Sequence, residues 1–260
     1  MRVRLLGLLE VDGAAGRPLE LGTPKQRTAC ALLLMRPGEL VTICELIDEL
    51  WPANPPESAL ANARMYVANL RRTFDCQTPG IVAVERRGPG YLLIADPSEI
   101  DYLAFRRFVI SARDAERHTD AVTAANRYKD ALALWQGPAL ADVPLGAQLT
   151  ARRAALAEEY IAAVEELALV YLSLDRTPAV VTLMREQTAA HPLRERGWEL
   201  LMTAQYRTGD VCGALATYRA ARTALVDGLG IEPGPALRAL QRSILGSRRA
   251  GMRCPVARGP

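Results

Sequence analysis

The sequence predicts an α+β N-terminal winged helix-turn-helix followed by an all-α tetratricopeptide-like helical bundle. Three observations carry this prediction: an arginine-bearing amphipathic helix that starts near Ser58, a hairpin pattern over residues 81–94, and a degenerate C-terminal repeat. Turn-separated segments of period two and period 3.6 are typical of strands and helices, respectively. We expect a winged domain at 1–95, a helical domain at 99–246 and a disordered tail at 247–260.

Composition narrows the function classes. The chain has 260 residues, enough for two ordinary domains, and its apolar runs are too short for a membrane span. Five cysteines without a CxxC pair argue against a disulfide framework or a zinc site. The sequence has no Walker loop and no paired-histidine motif, so we expect neither an enzyme nor a cofactor. The start of the chain reads as a strand rather than a signal peptide, which predicts a cytoplasmic protein.

The first 35 residues predict a small sheet and a helix. Val3–Val11 reads as one strand, and Pro18–Leu21 reads as its antiparallel partner after a glycine-containing turn. Thr23 is a predicted helix cap with Pro24 at the first helical position, and the helix continues to Met35.

A second helix and a loop follow. The hydroxyl of Thr42 and the carboxylate of Glu45, three residues later, predict a capping box at the start of a helix that ends at Trp51. Residues 52–57 contain three prolines and cannot be helical. A third helix follows this loop, which is the order of elements that a winged helix-turn-helix requires.

The third helix has two contrasting faces. At 100° per residue an arc of about 100° holds a core-facing stripe, namely Ala63, Tyr66, Val67, Leu70 and Phe74. The opposite face, on which we expect no acid, carries Asn62, Arg64, Met65, Ala68, Asn69, Arg71 and Arg72. Arginine binds guanine or phosphate, asparagine reads adenine and methionine can contact a thymine methyl group. These residue types fit a major-groove reader, although an arginine-rich solvated face is also ordinary in a chain with 30 arginines.

The hairpin pattern favours the DNA-binding interpretation. Residues 81–86 alternate in period two, and Gly88-Pro89-Gly90 supplies a turn or bulge. Arg86 and Arg87 flank this turn, where a wing would meet phosphate or a minor groove. Residues 58–94 contain five arginines and two acids, a local charge of +3. The predicted DNA-contacting residues are Asn62, Arg64, Met65, Asn69, Arg71, Arg72, Arg86 and Arg87.

The C-terminal part contains a degenerate repeat. Asp120 and Asp210 each precede an alanine at +4 and a tyrosine at +8, and Asp175 repeats this frame less well. The last two copies are offset by 35 residues, close to the period of about 34 that tetratricopeptide helix pairs show. The alternative is a non-repetitive, alanine-rich helical bundle. Both interpretations give a helical domain that presents a surface to partners.

The order of several short motifs resembles the Streptomyces antibiotic regulatory protein family. The motifs are MRVRLLGLL at 1–9, LGTPKQR at 21–27, LIDELW at 46–51, PPESA at 55–59, LRR at 70–72, PGY at 89–91, ALALWQG at 131–137, PLRER at 192–196 and the segment 225–233. The resemblance implies an OmpR-type winged helix and a bacterial transcriptional activation domain. It also implies activation of a biosynthetic gene cluster by protomers side by side on direct repeats of double-stranded DNA, with RNA polymerase and its sigma factor as partners.

The resemblance also implies roles for individual residues. Arg64, Met65 and Asn69 match base-facing positions, Arg71 and Arg72 match the phosphate-facing run, and Arg87 matches the wing. The loop with Trp51, Asn54 and Glu57 matches the segment that faces RNA polymerase. The family often has arginine where this chain has Asn69, and two prolines where it has Gly88-Pro89.

Two other functions fit the same sequence. A repressor would use the same DNA surface without contacting polymerase. A protein-interaction adaptor would work through the tetratricopeptide-like domain, with the winged domain as a scaffold. The modest total charge of +3 favours the adaptor slightly, whereas the arginines on helix and wing favour a nucleoid-associated DNA-binding protein.

Overall fold

The computed structural model describes residues 2–13 and 16–251, with side chains described as far as residue 246. It contains two compact units. The N-terminal unit comprises Met1–Arg113 and Arg127–Tyr160, and the C-terminal unit comprises Asp114–Asn126 and Ile161–Pro260. Across the described residues, every helix is too short or too polar to cross a bilayer.

The winged part consists of short strands around three helices. Its elements in chain order are β1 (Val3–Arg4), β2 (Glu10–Val11), α1 (Pro24–Leu34), β3 (Leu40–Thr42), α2 (Ile43–Leu50), α3 (Ala59–Gln77), β4 (Val82–Arg87) and β5 (Gly90–Ala95). A 3-10 turn at Pro97–Glu99 leads into the helices α4 (Asp101–Arg117), α5 (Ala121–Leu132), α6 (Ala147–Ser173), α7 (Thr177–Ala190), α8 (Glu195–Arg207), α9 (Val211–Leu229) and α10 (Pro235–Gly251). This order confirms the predicted fold class.

Capping boxes start the first two helices, which confirms the predicted cap at Thr23 and the predicted box at Thr42. At α1, the Thr23 hydroxyl accepts the Gln26 N–H, and the Gln26 side chain accepts the Thr23 N–H at 2.7 Å. At α2, Glu45 Oε2 accepts the Thr42 N–H at 2.8 Å, and Thr42 Oγ1 accepts the Glu45 N–H at 3.2 Å. Each box satisfies donors that a helix start otherwise leaves unpaired.

The box at α2 predicts an acid-sensitive contribution to stability. The Glu45 carboxylate accepts a hydrogen bond from the Arg36 guanidinium at 2.6 Å and another from the Thr42 N–H. Together they lower the pKa of Glu45 from its ordinary 4.5 to about 2. This contribution is therefore complete above pH 4.5 and is lost as the pH falls towards 2. We expect Glu45→Gln to be less stable than wild type at pH 7, and the difference to shrink at pH 3, in urea unfolding of the full chain.

The control for this experiment is Glu39→Gln. The Glu39 carboxylate also pairs with Arg36, at 2.9 Å, but is more exposed and does not cap α2. A Glu39 variant that reproduced the full effect of Glu45→Gln would contradict the assignment to the capping box.

The wing is a three-stranded antiparallel sheet in the order β3–β5–β4. The hairpin appears as predicted, with Arg87 opposite Gly90 and a two-residue turn between them. β3 was not predicted from the sequence; its Thr42 pairs with Gly90 and its Val41 pairs with Tyr91. A three-residue strand directly before a helix cap has too short a pattern to stand out.

The prediction of one continuous strand over Val3–Val11 is wrong. β1 and β2 pair with each other, with Val3 opposite Val11, and residues 5–9 form the connection between them. The expected partner strand Pro18–Leu21 is reduced to an isolated bridge between Asp12 and Pro18. The apolar run that suggested a strand is instead a buried loop.

The buried loop obtains its hydrogen bonds from distant residues. The Asp101 carboxylate, 3 % exposed, accepts the N–H groups of Leu5 and Leu6 at 2.7 and 2.8 Å. The Asp142 carboxylate accepts the Leu9 N–H at 2.8 Å. A buried backbone must satisfy its polar groups, and here carboxylates satisfy donors that a strand would satisfy through a ladder.

A second buried carboxylate joins α2 to α6. Glu49 is 3 % exposed, and its two oxygens accept the N–H groups of Gln148 and Leu149 at 2.9 and 3.2 Å. These donors lie in the first turn of α6, where unpaired N–H groups and the helix dipole favour an anion. Gly146 brings the chain against Glu49, because a Cβ on it would lie 2.6 Å from the Glu49 carbonyl oxygen. Glu49 therefore caps α6 from another helix.

α3 buries the predicted stripe. Its buried residues are Ala59, Ala63, Val67, Leu70 and Phe74. α3 packs against α1, α2 and β4. Tyr66 is half-buried. The apolar spacing thus identified the inward face correctly, and the opposite face is directed to solvent.

The turns before α5, α7 and α9 share one geometry. In each, a residue with φ of 54–83° precedes a residue whose N–H donates to the carbonyl five positions earlier. The residues that donate these bonds are Asp120, Arg176 and Asp210. Residues of positive φ end one helix of a pair and allow the next to start.

The repeat is confirmed in register for two of its three copies. Asp120 and Asp210 accept the N–H groups of Thr123 and Gly213 at 3.0 and 2.8 Å, as helix caps. The third copy is displaced by one residue, because Asp175 has a φ of 54° and Arg176 occupies the equivalent position. The structural offset between the last two copies is therefore 34 residues rather than 35.

The C-terminal unit is a stack of neighbouring helices. α7 packs on α8, α8 packs on α9, and α10 packs on both α8 and α9. The core between the last three helices contains Met202, Ala214, Tyr218, Ala221, Leu237 and Ile244. Helix α10 continues to Gly251, so residues 247–251 of the expected tail are helical. The rest of that tail, residues 252–260, lies outside the described residues.

Candidate nucleic-acid interface

The solvent-facing side of α3 holds the predicted base-reading and phosphate-binding residues. Arg64, Arg71 and Arg72 are exposed, and Met65 is 48 % exposed. The partly buried Asn62 and Asn69 lie on the same side. The Asn62 amide donates to the Ser58 hydroxyl at 3.1 Å, within the first turn. Three guanidinium groups and two side-chain amides thus lie along one side of α3, whose other side is buried in the core.

The expectation of no acid on this face is wrong. Asp75 follows Arg71 by one helical turn, and its carboxylate lies 3.7 Å from the Arg71 Nε. Both side chains are more than half exposed, so solvent screens the pair and its contribution is small. Arg64 and Arg72, by contrast, form no ion pair or side-chain hydrogen bond with any described residue. They are the cations of α3 that an external anion meets without competition.

The wing carries a similar division of roles. Arg87 donates to the Glu85 carboxylate through Nε at 3.0 Å and Nη2 at 2.7 Å. Arg86 has no such partner among residues 2–13 and 16–246. The turn between the strands is formed by Gly88, with a φ of 50°, and Pro89. Arg86 is thus free to bind phosphate, whereas Arg87 must first exchange its carboxylate partner.

An aromatic contact connects α3 to the end of α2. The rings of Trp51 and Tyr66 are stacked with centroids 6.3 Å apart, and Lys25 Nζ lies 4.9 Å from the Trp51 ring centroid. The Lys25 ammonium also donates to the Leu50 carbonyl. A cation over an indole face is favourable, and so is aromatic stacking. Lys25 therefore helps to hold the end of α2 against α3, a role with no local sequence signal.

The loop predicted to face polymerase is mostly solvent-exposed. Asn54 and Glu57 are exposed, whereas Trp51 is half-buried in the contact with Tyr66 and Lys25. A side chain held in this way shapes the start of the loop. Of the three residues predicted to face polymerase, Asn54 and Glu57 have exposed side chains that a partner could contact.

Two protein families match the chain, in the order that the fold suggests. The family described as "Transcriptional regulatory protein, C terminal" matches residues 16–93, which contain α1–α3 and the wing hairpin. The family described as "Bacterial transcriptional activator domain" matches residues 100–245, more than half of the chain.

Known regulatory proteins are similar to this chain over most of its length. Regulatory protein AfsR of Streptomyces coelicolor is 38 % identical over 88 % of this chain, although the chain spans only 23 % of AfsR. Regulatory protein DnrI of Streptomyces peucetius is 32 % identical, and the match covers 99 % of this chain and 98 % of DnrI. The structure titled "Mycobacterium tuberculosis EmbR in complex with low affinity phosphopeptide" superposes with a TM-score of 0.87 at 33 % identity, covering 95 % of this chain and 65 % of that one.

These matches agree with the motifs, the wing and the helix stack. Full-length similarity to DnrI at more than 30 % identity and the activator-domain match over residues 100–245 carry the assignment. The chain belongs to the Streptomyces antibiotic regulatory protein family, whose members combine a winged helix-turn-helix with a bacterial transcriptional activator domain.

Proposed function

We propose that this chain is a sequence-specific DNA-binding transcriptional activator of a biosynthetic gene cluster and not an enzyme. The observation that carries the proposal is a set of exposed cations, Arg64, Arg72 and Arg86, that have no partner among the described residues. They lie on the solvent face of α3 and on the wing, which are the two elements that a winged helix presents to DNA. Phosphate contacts from such cations supply most of the affinity.

The proposed roles follow from side-chain chemistry. α3 enters the major groove, where Asn69, Met65 and Arg64 contact base edges. Arg71 and Arg72 bind phosphates beside it, and Arg86 and Arg87 of the wing bind the adjacent backbone or minor groove. Asn62, at the start of the helix, lies where it can contact either a base or a phosphate.

The proposal extends to the partners and the division of the chain. Residues 1–95 act as the DNA-binding domain and 99–246 as the activation domain. Two protomers occupy a direct repeat on one face of the duplex, in or near the nucleoid of the cytoplasm. The exposed Asn54 and Glu57 of the loop after Trp51 meet RNA polymerase with its sigma factor. The relatives named as regulatory proteins support this assignment.

Genome-wide occupancy of the tagged full chain, followed by titration of the best site, tests the proposal. We expect a short direct repeat upstream of a biosynthetic cluster. The logarithm of its affinity should fall linearly with the logarithm of salt concentration, with a slope of about −0.9 per phosphate contact. Absence of any enriched site, or binding that does not change with salt, would favour the adaptor. Occupancy with no activation in a reconstituted transcription assay would favour the repressor.

Two substitutions on α3 separate the proposed roles. Arg72→Ala should weaken binding to operator and random duplexes by the same factor and reduce the salt slope by about 1, because it removes one phosphate contact. Asn69→Ala should change base preference and leave the salt slope unaltered. Titration of both duplexes by fluorescence anisotropy measures each effect.

The matched control is Arg185→Ala. Arg185 is exposed on α7 and belongs to the C-terminal unit, so its loss removes a charge without removing a proposed contact. A loss of DNA affinity in this variant equal to that of Arg72→Ala would show that net charge, rather than the face of α3, governs binding.

A further inference from the structure

The end of the chain is strongly basic. Residues 235–260 contain six arginines and no aspartate or glutamate. Two of these arginines, Arg238 and Arg242, lie one turn apart on α10 and are exposed. A cluster of one sign on a helix attracts polyanions, and such a cluster also occurs as a merely solvated face. The geometry around these two side chains distinguishes the two cases.

α10 is anchored to the core on the side opposite its exposed arginines. This side buries Leu237 and Ile244, which are at most 1 % exposed, in the core with Met202 and Ala221. A helix anchored by buried residues holds its exposed side chains at fixed spacing. Arg238 and Arg242 therefore project from a defined surface.

The two arginines line a cavity between α9 and α10. Its volume is about 330 Å³, and its walls are formed by Tyr218, Pro235, Arg238, Gln241 and Arg242. The described residues of the wall thus contribute two guanidinium groups, an amide and a phenol, and no carboxylate. Guanidinium forks bind phosphate oxygens in bidentate fashion, and amide and hydroxyl groups donate to the same oxygens.

One acid lies close to this cavity. Glu232 precedes α10, and its carboxylate accepts a hydrogen bond from the Arg222 Nε at 2.6 Å; this bond, with the weaker influence of the Arg222 and Arg238 charges, lowers the Glu232 pKa. Arg238 and Arg242 form no ion pair with any residue of the described chain. The Glu232 carboxylate is thus hydrogen-bonded to Arg222 rather than to the cavity arginines, whose donors remain open to an external anion.

We propose that the α9–α10 cavity is a second phosphate-binding site, which engages the backbone of duplex DNA outside the bases read by α3. This inference rests on the proposed DNA-binding function and assigns an additional, sequence-independent contact to the C-terminal unit. Phosphate contacts position a protein on DNA and raise affinity without reading sequence.

The double variant Arg238→Gln with Arg242→Gln tests the site in the full chain. We expect its affinity to fall by the same factor, on the order of tenfold, for operator and random duplexes of about 40 base pairs. The salt slope should fall by about 1.8, since two phosphate contacts are lost. The charge-conserving pair Arg238→Lys with Arg242→Lys should restore most of the slope.

The matched control is the pair Arg117→Gln with Arg185→Gln. Both residues are exposed and neither lines the cavity. The same slope change in this control overturns the site, because it would reflect total charge. A cavity variant that binds DNA like wild type also overturns the site but leaves the proposed function standing. If that variant loses only transcription activation, the cavity contacts an acidic protein surface instead. Wild-type protein that does not bind duplex DNA overturns both proposals.

Discussion

Gly90→Ala should lower the free energy of unfolding of the N-terminal unit by more than about 3 kcal/mol. A Cβ at Gly90 would lie 2.8 Å from Thr42 Cα and would overlap the Val41 carbonyl oxygen. Both obstacles are backbone atoms, and Gly90 is paired directly with Thr42 in the sheet. β3 would have to separate from β5 to admit the methyl group. Urea unfolding of the full chain, followed by circular dichroism, measures the loss.

Gly88→Ala is the matched control in the same turn. Among the described residues, no atom lies within 4 Å of a Cβ at Gly88, so its cost is the φ of 50°. That strain amounts to about 1 kcal/mol. Equal losses in the two variants would show that turn conformation, rather than the approach of β3, requires the glycine at position 90.

Asp101→Ala should cost about 3 kcal/mol or more. The buried carboxylate accepts three backbone N–H groups, those of Leu5, Leu6 and Tyr102. Removing it leaves three donors without an acceptor, in a place where water cannot easily replace it. Asp101→Asn keeps one acceptor oxygen and should fall between alanine and wild type. Thermal and urea unfolding of the full chain measure the series.

Asp96→Ala provides the comparison for Asp101. Asp96 is exposed and accepts one N–H, that of Ser98, at 2.7 Å. Its loss leaves a donor that water reaches, so we expect a much smaller effect. A large loss at Asp96, or none at Asp101, would contradict the view that burial of the carboxylate determines the cost.

Features that depend on neighbours in the chain could be predicted from the sequence. The boxes at Thr23 and Thr42 need only a residue three positions on, and both formed. The buried stripe of α3 and the two-residue turn of the wing likewise follow from spacing and from glycine and proline. Local chemistry decides these elements because their partners lie within one or two turns.

Features that depend on residues distant in the sequence could not be predicted. Residues 5–9 have a strand-like composition, but the carboxylate that binds their N–H groups is Asp101, nearly a hundred residues away. The displaced third repeat is a subtler case: Asp175 looks like the aspartates of the other copies, yet its positive φ makes it the turn residue before the cap.

The site divides along the same line. The exposure of the predicted arginines on α3 and the wing followed from their position opposite the apolar stripe. Which of these arginines form ion pairs did not follow from that position, because it depends on the neighbouring acidic side chains. Asp75 lies beside Arg71 and Glu85 binds Arg87, whereas Arg72 and Arg86 meet no acid among the described residues. These side-chain contacts, and not the spacing of the arginines along the chain, separate the free cations from the shared ones.

The cap that Glu49 provides for α6 bears on how the N-terminal segment could be exchanged between members of the family. A chimaera joined at residue 95 would place a foreign helix start opposite this carboxylate, and a mismatch there would leave a buried charge unpaired. The hydrogen bonds from Leu5 and Leu6 to Asp101 also join residues on the two sides of this junction. A swap of residues 1–160 would keep both sets of partners together, so the segment that must be exchanged as a whole is larger than residues 1–95.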